Sequence, residues 1–299
     1  MPSTAMPSPS QILNAPASAV VPDLASLRAE LDRLDNALHD TLMRRAEVVK
    51  QVAALRVKGP VPLRPGREAA IIRRLLARHA GGLPAFGIVR IWRELLGTTT
   101  AQQHPLVVSV CQADGDAAYS AVAREHFGAL TPLRIYATPA EAIHEVSAGH
   151  VTVAVLPMPT EAEASAAAWW PALMRAGGER LHVVARLPFW TLRPEGAPDV
   201  QALVVSAAAP DPSGQDRSIL GLELPPDVGH SRLGAVIAAA GFQVRTTIVR
   251  RDPDSAVASV LVEVDGFIDG DDPRLAMLQM VLRPPVVLGA YAVPVSGTA

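Results

Sequence analysis

Arginines on the first predicted helix lie at spacings that suit the binding of a small polyanion. A leucine stripe that begins at Leu24 continues, by its own spacing, to Arg45 and Arg56. These two arginines are eleven residues, or three turns, apart, so they share one side of the helix at a separation of about 16 Å. Two guanidinium groups on an otherwise apolar stripe need an anion between them. Arginines on a solvated face would fit this geometry equally well.

A third arginine suggests that a second chain takes part. Arg28 precedes Arg45 by seventeen residues, which is about 25 Å along the helix and roughly 100° around its axis. It cannot reach the same small ligand within one chain, but in an antiparallel helix pair it could reach the partner's site. The helix is predicted from Asp23, a plausible N-cap, to Lys58, without Gly or Pro. A rod of about 54 Å is too long for one small module to bury, so we expect it to pair with another chain.

The pattern of apolar residues divides the chain into a tail and three domains. Residues 1–22 are predicted to be a disordered tail. Helices over 67–80 and 84–103 complete an all-helical module over 23–104. Short apolar runs alternating with helical stretches predict an α/β domain over 105–215. Residues 216–299 are predicted to form strand, helix, strand, strand, helix and strand, a ferredoxin-like order whose second helix covers 273–281.

Charge and composition limit the function classes. Residues 23–100 hold twelve Arg and two Lys against eight acids, a charge of +6, and residues 101–299 hold thirteen Arg against twenty-one acids, a charge of −8. The sum of −2 argues against a general nucleic-acid binder, while the basic module suits a small polyanion. We expect no membrane span and no secretory signal. The single cysteine, Cys111, excludes an internal disulfide and indicates the reducing cytoplasm.

Motifs for other kinds of catalysis are absent from the sequence. It contains no G-x-G-x-x-G, no P-loop and no G-x-S-x-G. His144 and His150 are six residues apart, which suits neither a helical nor a strand metal site. An acidic cluster around Gly266 and Gly270 lacks the ligand order of a calcium loop, so a turn is expected there. We predict neither a metal nor a cofactor.

The three predicted helices contain a series of short motifs: Leu27-Arg28, Leu34-Asp35, Arg44-Arg45, Arg56, Arg67-Glu68, Thr99 and Gln103. With these motifs at these spacings, residues 24–103 resemble the all-helical chorismate mutases over the whole length of that domain. The resemblance implies an intertwined homodimer whose sites take residues from both chains. It also implies the rearrangement of chorismate to prephenate, in phenylalanine and tyrosine biosynthesis.

The resemblance assigns the binding of the two substrate carboxylates and the ether oxygen. Arg45 would bind one carboxylate in its own chain's site, and Arg28 would bind the other from the partner chain. Arg56 stands where the family usually has a lysine that contacts the ether oxygen and a carboxylate. It is preferred over Lys58, which lies on nearly the opposite face. Arg64 replaces an aspartate that some members have in the loop.

Four further residues receive roles in the same way. Glu68 would accept a hydrogen bond from the substrate hydroxyl, with Arg67 beside it. Thr99 replaces the usual serine near a carboxylate, and Gln103, one turn later, would donate to the ether oxygen. The reaction is a unimolecular pericyclic step, so such a site works by holding the folded dianion and stabilising charge on the ether oxygen.

Residues 106–294 resemble prephenate dehydratase followed by its ligand-sensing ACT domain. The resemblance rests on residues 151–158, on 212–218, and on 262–272 followed by 287–291. The dehydratase's Thr-Arg-Phe motif would fall at Val200-Gln201-Ala202, and none of these side chains can protonate a leaving hydroxyl. Ser231-Arg232-Leu233 stands where ACT domains bind phenylalanine through Gly-Ala-Leu. We therefore expect a dehydratase-like fold without its activity.

Three other functions stay open from the sequence. The chain could be a bifunctional mutase and dehydratase, an isochorismate pyruvate lyase on the same helical scaffold, or a sensor that no longer catalyses a reaction. One assay with chorismate distinguishes them by its products.

Overall fold

The computed structural model describes residues 23–55, 63–112, 115–163, 167–175, 180–251 and 255–297. The predicted disordered tail, together with Arg56 and Lys58, lies outside these ranges. The chain divides into two compact units, residues 1–52 and 53–299. The predicted domain boundaries near 104 and 215 therefore stay predictions.

Among the described residues, the first unit consists of Asp23 and helix α1, Leu24–Ala54, except for Ala53 and Ala54, which are assigned to the second unit. Its first turn is capped by Asp23, whose Oδ1 accepts a hydrogen bond from the Ser26 amide at 2.7 Å. None of the residues of α1 is buried. The leucine stripe is present and lies open: Leu31 is 60% exposed and Leu38 is 56% exposed.

Helices α2, Pro65–Ala77, and α3, Ala85–Ala101, belong to the second unit. Both helices were predicted, but α2 begins two residues earlier and ends three residues earlier than the predicted 67–80, with Pro65 in its first turn. An apolar cluster joins them to other parts of this unit; its buried members are Ala69, Ile72, Val89, Leu96, Phe189, Trp190 and Ala292. The two helices are therefore packed into the core of the second unit.

One nine-stranded sheet forms the centre of the second unit. Its strands are β1 Val108–Cys111, β2 Leu133–Tyr136, β3 Val153–Pro157, β4 His182–Leu187, β5 Ala202–Ser206, β6 Asp216–Leu224, β7 Val244–Arg251, β8 Ala258–Asp265 and β9 Val286–Ala292. The remaining helices are α4 Ala118–Phe127, α5 Pro139–Ser147, α6 Trp170–Arg175 and α7 His230–Ala239, with a 3-10 helix at Pro273–Met277. The strand order is β2-β1-β3-β5-β4-β9-β6-β8-β7.

The sheet contains both parallel and antiparallel strand pairs. Strands β1, β2 and β3 are parallel and connected through α4 and α5, which confirms the α/β layer. Strand β9 pairs antiparallel with β6 and parallel with β4, where Val183 lies opposite Gly289. Gly289 has a φ of 145°, and a Cβ there would overlap the backbone of Val183, so only glycine permits this junction.

The last part of the chain follows the predicted order of elements with one correction. Residues 216–292 run strand, helix, strand, strand, 3-10 helix, strand. The helix predicted over 273–281 is wrong in type and length, because it is a 3-10 helix that covers Pro273–Met277 only. Asp272 caps its start, and Leu278, with a ψ of 70°, leaves the helical region directly after it. Strand β5 and the six-residue helix α6 were not predicted.

Candidate active site

Two of the arginines assigned to substrate carboxylates lie on α1. Arg28 is exposed and Arg45 is half-buried, and both are helical, as the spacing argument requires. Exposed ion pairs accompany them on the same helix, such as Arg33 with Glu30 at 2.7 Å. Helix α1 thus presents arginines alongside an open leucine stripe.

The N-terminus of α2 positions Arg67 and Glu68 by means of a distant aspartate. The carboxylate of Asp211 accepts hydrogen bonds from the backbone amides of Gly66, at 2.9 Å, and Arg67, at 3.1 Å. It also pairs with Arg64 Nε at 3.2 Å. Amides of a first helical turn need such acceptors, so Asp211 acts as the cap that Arg64, the N-cap residue, does not supply.

Glu68 faces a buried arginine that sequence reasoning missed. Arg93 Nη1 on α3 lies 3.1 Å from Glu68 Oε2, and the Arg93 side chain is 4% exposed. Its guanidinium also stacks over the ring of Phe189, at 4.5 Å from the centroid. Burial lowers the pKa of Arg93 to about 10, against the opposing attraction of Glu68 and Glu125. Arg93 therefore stays charged at neutral pH beside the Glu68 carboxylate.

One signal in the sequence could have indicated Arg93. It follows Val89 by four residues and precedes Leu96 by three, so it lies on the buried stripe of α3. A charged residue on such a stripe needs a buried partner, and Glu68 is that partner.

Thr99 lies near the end of α3 and Gln103 lies two residues beyond it, and both side chains donate hydrogen bonds to carbonyls of the helix. Thr99 is buried, and its hydroxyl donates to the carbonyls of Leu95, at 2.8 Å, and Leu96, at 3.1 Å. Gln103 Nε2 donates to the Thr99 carbonyl at 2.9 Å. The Thr99 hydroxyl and the Gln103 amide are therefore held close to the end of the helix. Each would have to leave its carbonyl acceptor in order to donate to a ligand.

The predicted site residues are divided between the two units. The second unit contains Arg67 and Glu68 on α2, Thr99 on α3, and Gln103 two residues after α3. Arg28 and Arg45 belong to the first unit. Arg56, the predicted contact to the ether oxygen, lies outside the described residues. The complete set of site residues thus stays a prediction.

A polar network occupies the place where the dehydratase motif was expected. Gln201 Oε1 accepts from Arg186 Nη2 at 2.6 Å, and Arg186 Nη1 donates to the hydroxyl of Tyr291 at 3.1 Å. The same nitrogen pairs with Glu263 Oε1 at 3.3 Å. Gln201 and Arg186 are thus engaged in contacts that connect β4 with β8 and β9.

The described residues contain neither a metal-binding cluster nor a membrane-spanning helix. No group of three or more His, Cys, Asp or Glu side chains there could hold a metal ion. No helix in this part of the chain is long and apolar enough to cross a membrane.

Two of the comparisons with known proteins concern the sequence. Residues 27–104 match the family model described as chorismate mutase type II. A bifunctional chorismate mutase/prephenate dehydratase of Pseudomonas aeruginosa is 30% identical over 146 residues, which are 47% of this chain and 40% of that protein. The match therefore spans less than half the length of this curated relative.

Solved structures are similar to 62% of the chain. The prephenate dehydratase of Arthrobacter aurescens, in complex with L-Phe, is 15% identical, with a TM-score of 0.46 over 62% of this chain and 90% of that one. A protein described as GqqA, a novel type of quorum quenching acylase, is 17% identical, with a TM-score of 0.47 over 62% of this chain and 94% of that one. At these values the likenesses carry no functional argument. The sequence matches show that residues 27–104 are similar to chorismate mutase type II, and that part of the chain is similar to part of the bifunctional mutase/dehydratases.

Proposed function

We propose that the chain is a chorismate mutase, which rearranges chorismate to prephenate in the biosynthesis of phenylalanine and tyrosine. The observation that carries the proposal is the family match over residues 27–104, which includes all seven predicted site residues. The described helices support it, because Arg28 and Arg45 lie on α1 and Glu68 lies at the start of α2.

In the proposed mechanism the residues bind and polarise without forming a covalent bond. Arg45 and the partner's copy of Arg28 hold the two carboxylates, so that the substrate stays in the folded conformer. Arg56 and Gln103 stabilise the negative charge that develops on the ether oxygen as the carbon–oxygen bond breaks. No proton transfer, metal or cofactor is needed for this step.

The proposed role of Glu68 fits its surroundings. Arg93, 3.1 Å away, favours the ionised carboxylate, which can only accept hydrogen bonds. A substrate hydroxyl would be held by such an acceptor, with Arg67 beside it. Thr99 would contribute near a carboxylate once its hydroxyl leaves the Leu95 and Leu96 carbonyls.

The proposed assembly is a homodimer paired through α1. The leucine stripe of α1 is 48% exposed or more from Leu24 to Leu38, and a second copy would cover it. Burying a leucine contributes about 1.5–3 kcal/mol, so five such residues in each copy make a strong association. The pairing would bring each Arg28 to the partner's site, as the intertwined family dimer implies.

We further propose that residues 105–299 form a dehydratase-like region without catalysis, ending in an ACT-type domain, in a cytoplasmic protein. Gln201, at the place of the dehydratase motif, accepts from Arg186 and belongs to a network with Tyr291 and Glu263. Such a network is suited to holding the sheet together. Whether an effector binds the ACT-type region is answered by adding phenylalanine to the assay below.

The test is turnover of chorismate by the purified full chain, with separation of the products. Prephenate alone is the expected product. Phenylpyruvate would show the bifunctional enzyme, pyruvate with salicylate from isochorismate would show the lyase, and no turnover would leave a sensor. Arg45→Ala, Arg56→Ala and Gln103→Ala should each lower kcat/KM by at least about 100-fold. Arg33→Ala, on the same helix as Arg45, is the matched control and should keep the rate.

Mixing of two inactive variants tests the shared site. Arg28→Ala and Arg45→Ala chains, refolded together, would form mixed dimers in which one site has both arginines. Random pairing should restore activity to about a quarter of the sites. Absence of any restoration, with dimers present, would contradict the assignment of Arg28 to the partner's site.

A further inference from the structure

Helices α2 and α3 approach the sheet-forming part of the chain, which follows α3 within the second unit, at two glycines. A Cβ on Gly66, in the first turn of α2, would overlap the carbonyl of Asp211. A Cβ on Gly97 of α3 would overlap the carbonyl of Phe127. The backbones can come this close because glycine has no side chain. Both helices therefore rest directly on the backbone of the sheet-forming part.

The segment that begins at Asp211 holds α2 over two turns. Besides the two amides at the helix start, it binds Arg73, whose Nη1 donates to Ser213 Oγ at 2.8 Å and whose Nη2 donates to the Gln215 carbonyl at 3.0 Å. Arg73 lies about two turns after the start of α2. Glu68 lies between these two points of attachment, so the backbone that carries it is fixed by a segment from the far side of the sequence.

The carboxylate of Glu68 is held by Arg93, and Arg93 in turn contacts the sheet-forming part. Its guanidinium stacks on Phe189, and its Nη1 lies 3.4 Å from Nε2 of His126 on α4. Burial, and then the charge of Arg93, hold the pKa of His126 well below its usual value, so the neutral ring can accept from the guanidinium. The backbone and the carboxylate of Glu68 are thus both supported by residues that follow α3.

We propose that Asp211 and Arg93 are positioning residues for Glu68, and that the sheet-forming part supplies this support in place of dehydratase chemistry. The inference rests on the proposed function, in which Glu68 accepts a hydrogen bond from the substrate hydroxyl. Asp211 sets the backbone at the start of α2, and Arg93 sets the direction and the charge of the carboxylate. Neither of the two residues touches the substrate in this arrangement.

Steady-state kinetics of the full chain with chorismate test the role of Asp211. Asp211→Ala should raise KM by at least about 5-fold and leave kcat within about 2-fold, because the hydroxyl is held alike in the substrate and in the transition state. A merely structural role would reduce the amount of folded enzyme, which lowers kcat at an unchanged KM. Asp211→Asn, whose amide oxygen still accepts from a backbone amide, should recover part of the affinity.

Asp272 provides a matched control in the same unit. Like Asp211, it accepts from an amide at a helix start and pairs with an arginine, in its case Arg274. Its side chain is 14% exposed, against 11% for Asp211. Asp272→Ala should lower stability in urea and keep the KM of the unaltered chain. An equal rise of KM in Asp272→Ala, or a fall of kcat at unchanged KM in Asp211→Ala, would overturn the proposal.

Two variants that differ in charge test Arg93. Arg93→Met should raise KM by at least about 10-fold, and Arg93→Lys, which keeps a positive charge beside Glu68, should raise it less. Equal KM values for the two would refute the role of Arg93, and the Asp211 variants decide the proposal if Arg93→Met does not fold. An unaltered chain without turnover of chorismate would contradict the proposed function and this inference with it. An active chain whose KM is insensitive to both residues would contradict this inference alone.

Discussion

Helices α1, α2 and α3 all overlap the family match over residues 27–104, but α1 differs from the other two in burial. All 31 residues of α1 escape burial, whereas six of the 17 residues of α3 are buried. Each region has an arginine–glutamate pair, but Arg33–Glu30 on α1 is exposed and Arg93–Glu68 is buried. One family segment can therefore contain helices that are stabilised by different contacts. Helices α2 and α3 obtain their stability from the sheet unit, and α1 has a face that only further packing would cover.

The largest expected effect concerns that open face. Leu31→Glu on α1 should raise the dissociation constant of the proposed dimer by at least about 100-fold, because each copy would lose an apolar contact and gain a charge at the proposed interface. Sedimentation equilibrium measures the change. Leu130→Glu is the matched control, since Leu130 is 91% exposed in the sheet unit, and it should leave association unchanged. Equal behaviour of the two variants would show that the stripe of α1 is not the interface.

The two arginine–glutamate pairs give the next largest effect. Arg93→Met should lower the free energy of unfolding by about 3 kcal/mol, because it leaves Glu68 partly buried without its partner. Changing Glu68 to Leu in the same chain should restore most of that loss. Arg33→Met, on exposed α1, should cause no measurable change. Urea denaturation compares the three chains, and an equal loss in Arg33→Met would remove the distinction between the regions.

Removal of a helix cap should have a smaller effect on stability, and the effect should differ between α2 and α1. Asp211→Ala should cost about 1–2 kcal/mol, because two amides at the start of α2 and the Arg64 side chain lose their acceptor. Asp23→Ala removes a local cap from α1, and should not shift the cooperative transition of the sheet unit. Thermal unfolding followed by circular dichroism tests both. A larger loss of stability in Asp23→Ala than in Asp211→Ala would contradict this expectation.

The smallest expected effect is a pH dependence from His126. Its pKa is lower in the folded than in the unfolded chain, so the unfolded state binds more protons below about pH 6.5 and stability is lost as the pH falls. Between pH 7 and 5.5 this group should cost about 1 kcal/mol. His126→Phe should remove that part of the slope, and the exposed His104→Gln should keep it. An unchanged slope in His126→Phe would show that the ring is not buried and neutral.

Most elements could be predicted because their signals are local. The leucine spacing predicts α1, apolar spacing predicts a helix over 67–80 where α2 lies, and apolar runs predict eight of the nine described strands. Strand β5 was missed because Ala202–Ser206 is a short apolar run beside an alanine-rich stretch, which periodicity cannot separate from a helix. The 3-10 helix at Pro273–Met277 replaced a predicted helix because its end is set by backbone torsions at Leu278.

The site was predicted less completely, because its surroundings are assembled over long sequence distances. The position of Glu68 in the first turn of α2 follows from local sequence. Its partner Arg93 is buried by contacts with His126 and Phe189, which lie 33 and 96 residues further along the chain. The stripe of α3 could indicate that Arg93 is buried, but no local pattern indicates that its neighbours would be His126 and Phe189.

The capping of α2 by Asp211 has a consequence for the order of events on the ribosome. The acceptor lies 145 residues after Gly66, so α2 emerges long before the side chain that completes its first turn has been synthesised. During this interval the amides at its start face water. The N-terminal segment thus reaches its final form only after β1 to β5 have left the exit tunnel, and translation pauses before Asp211 would prolong the unfinished state.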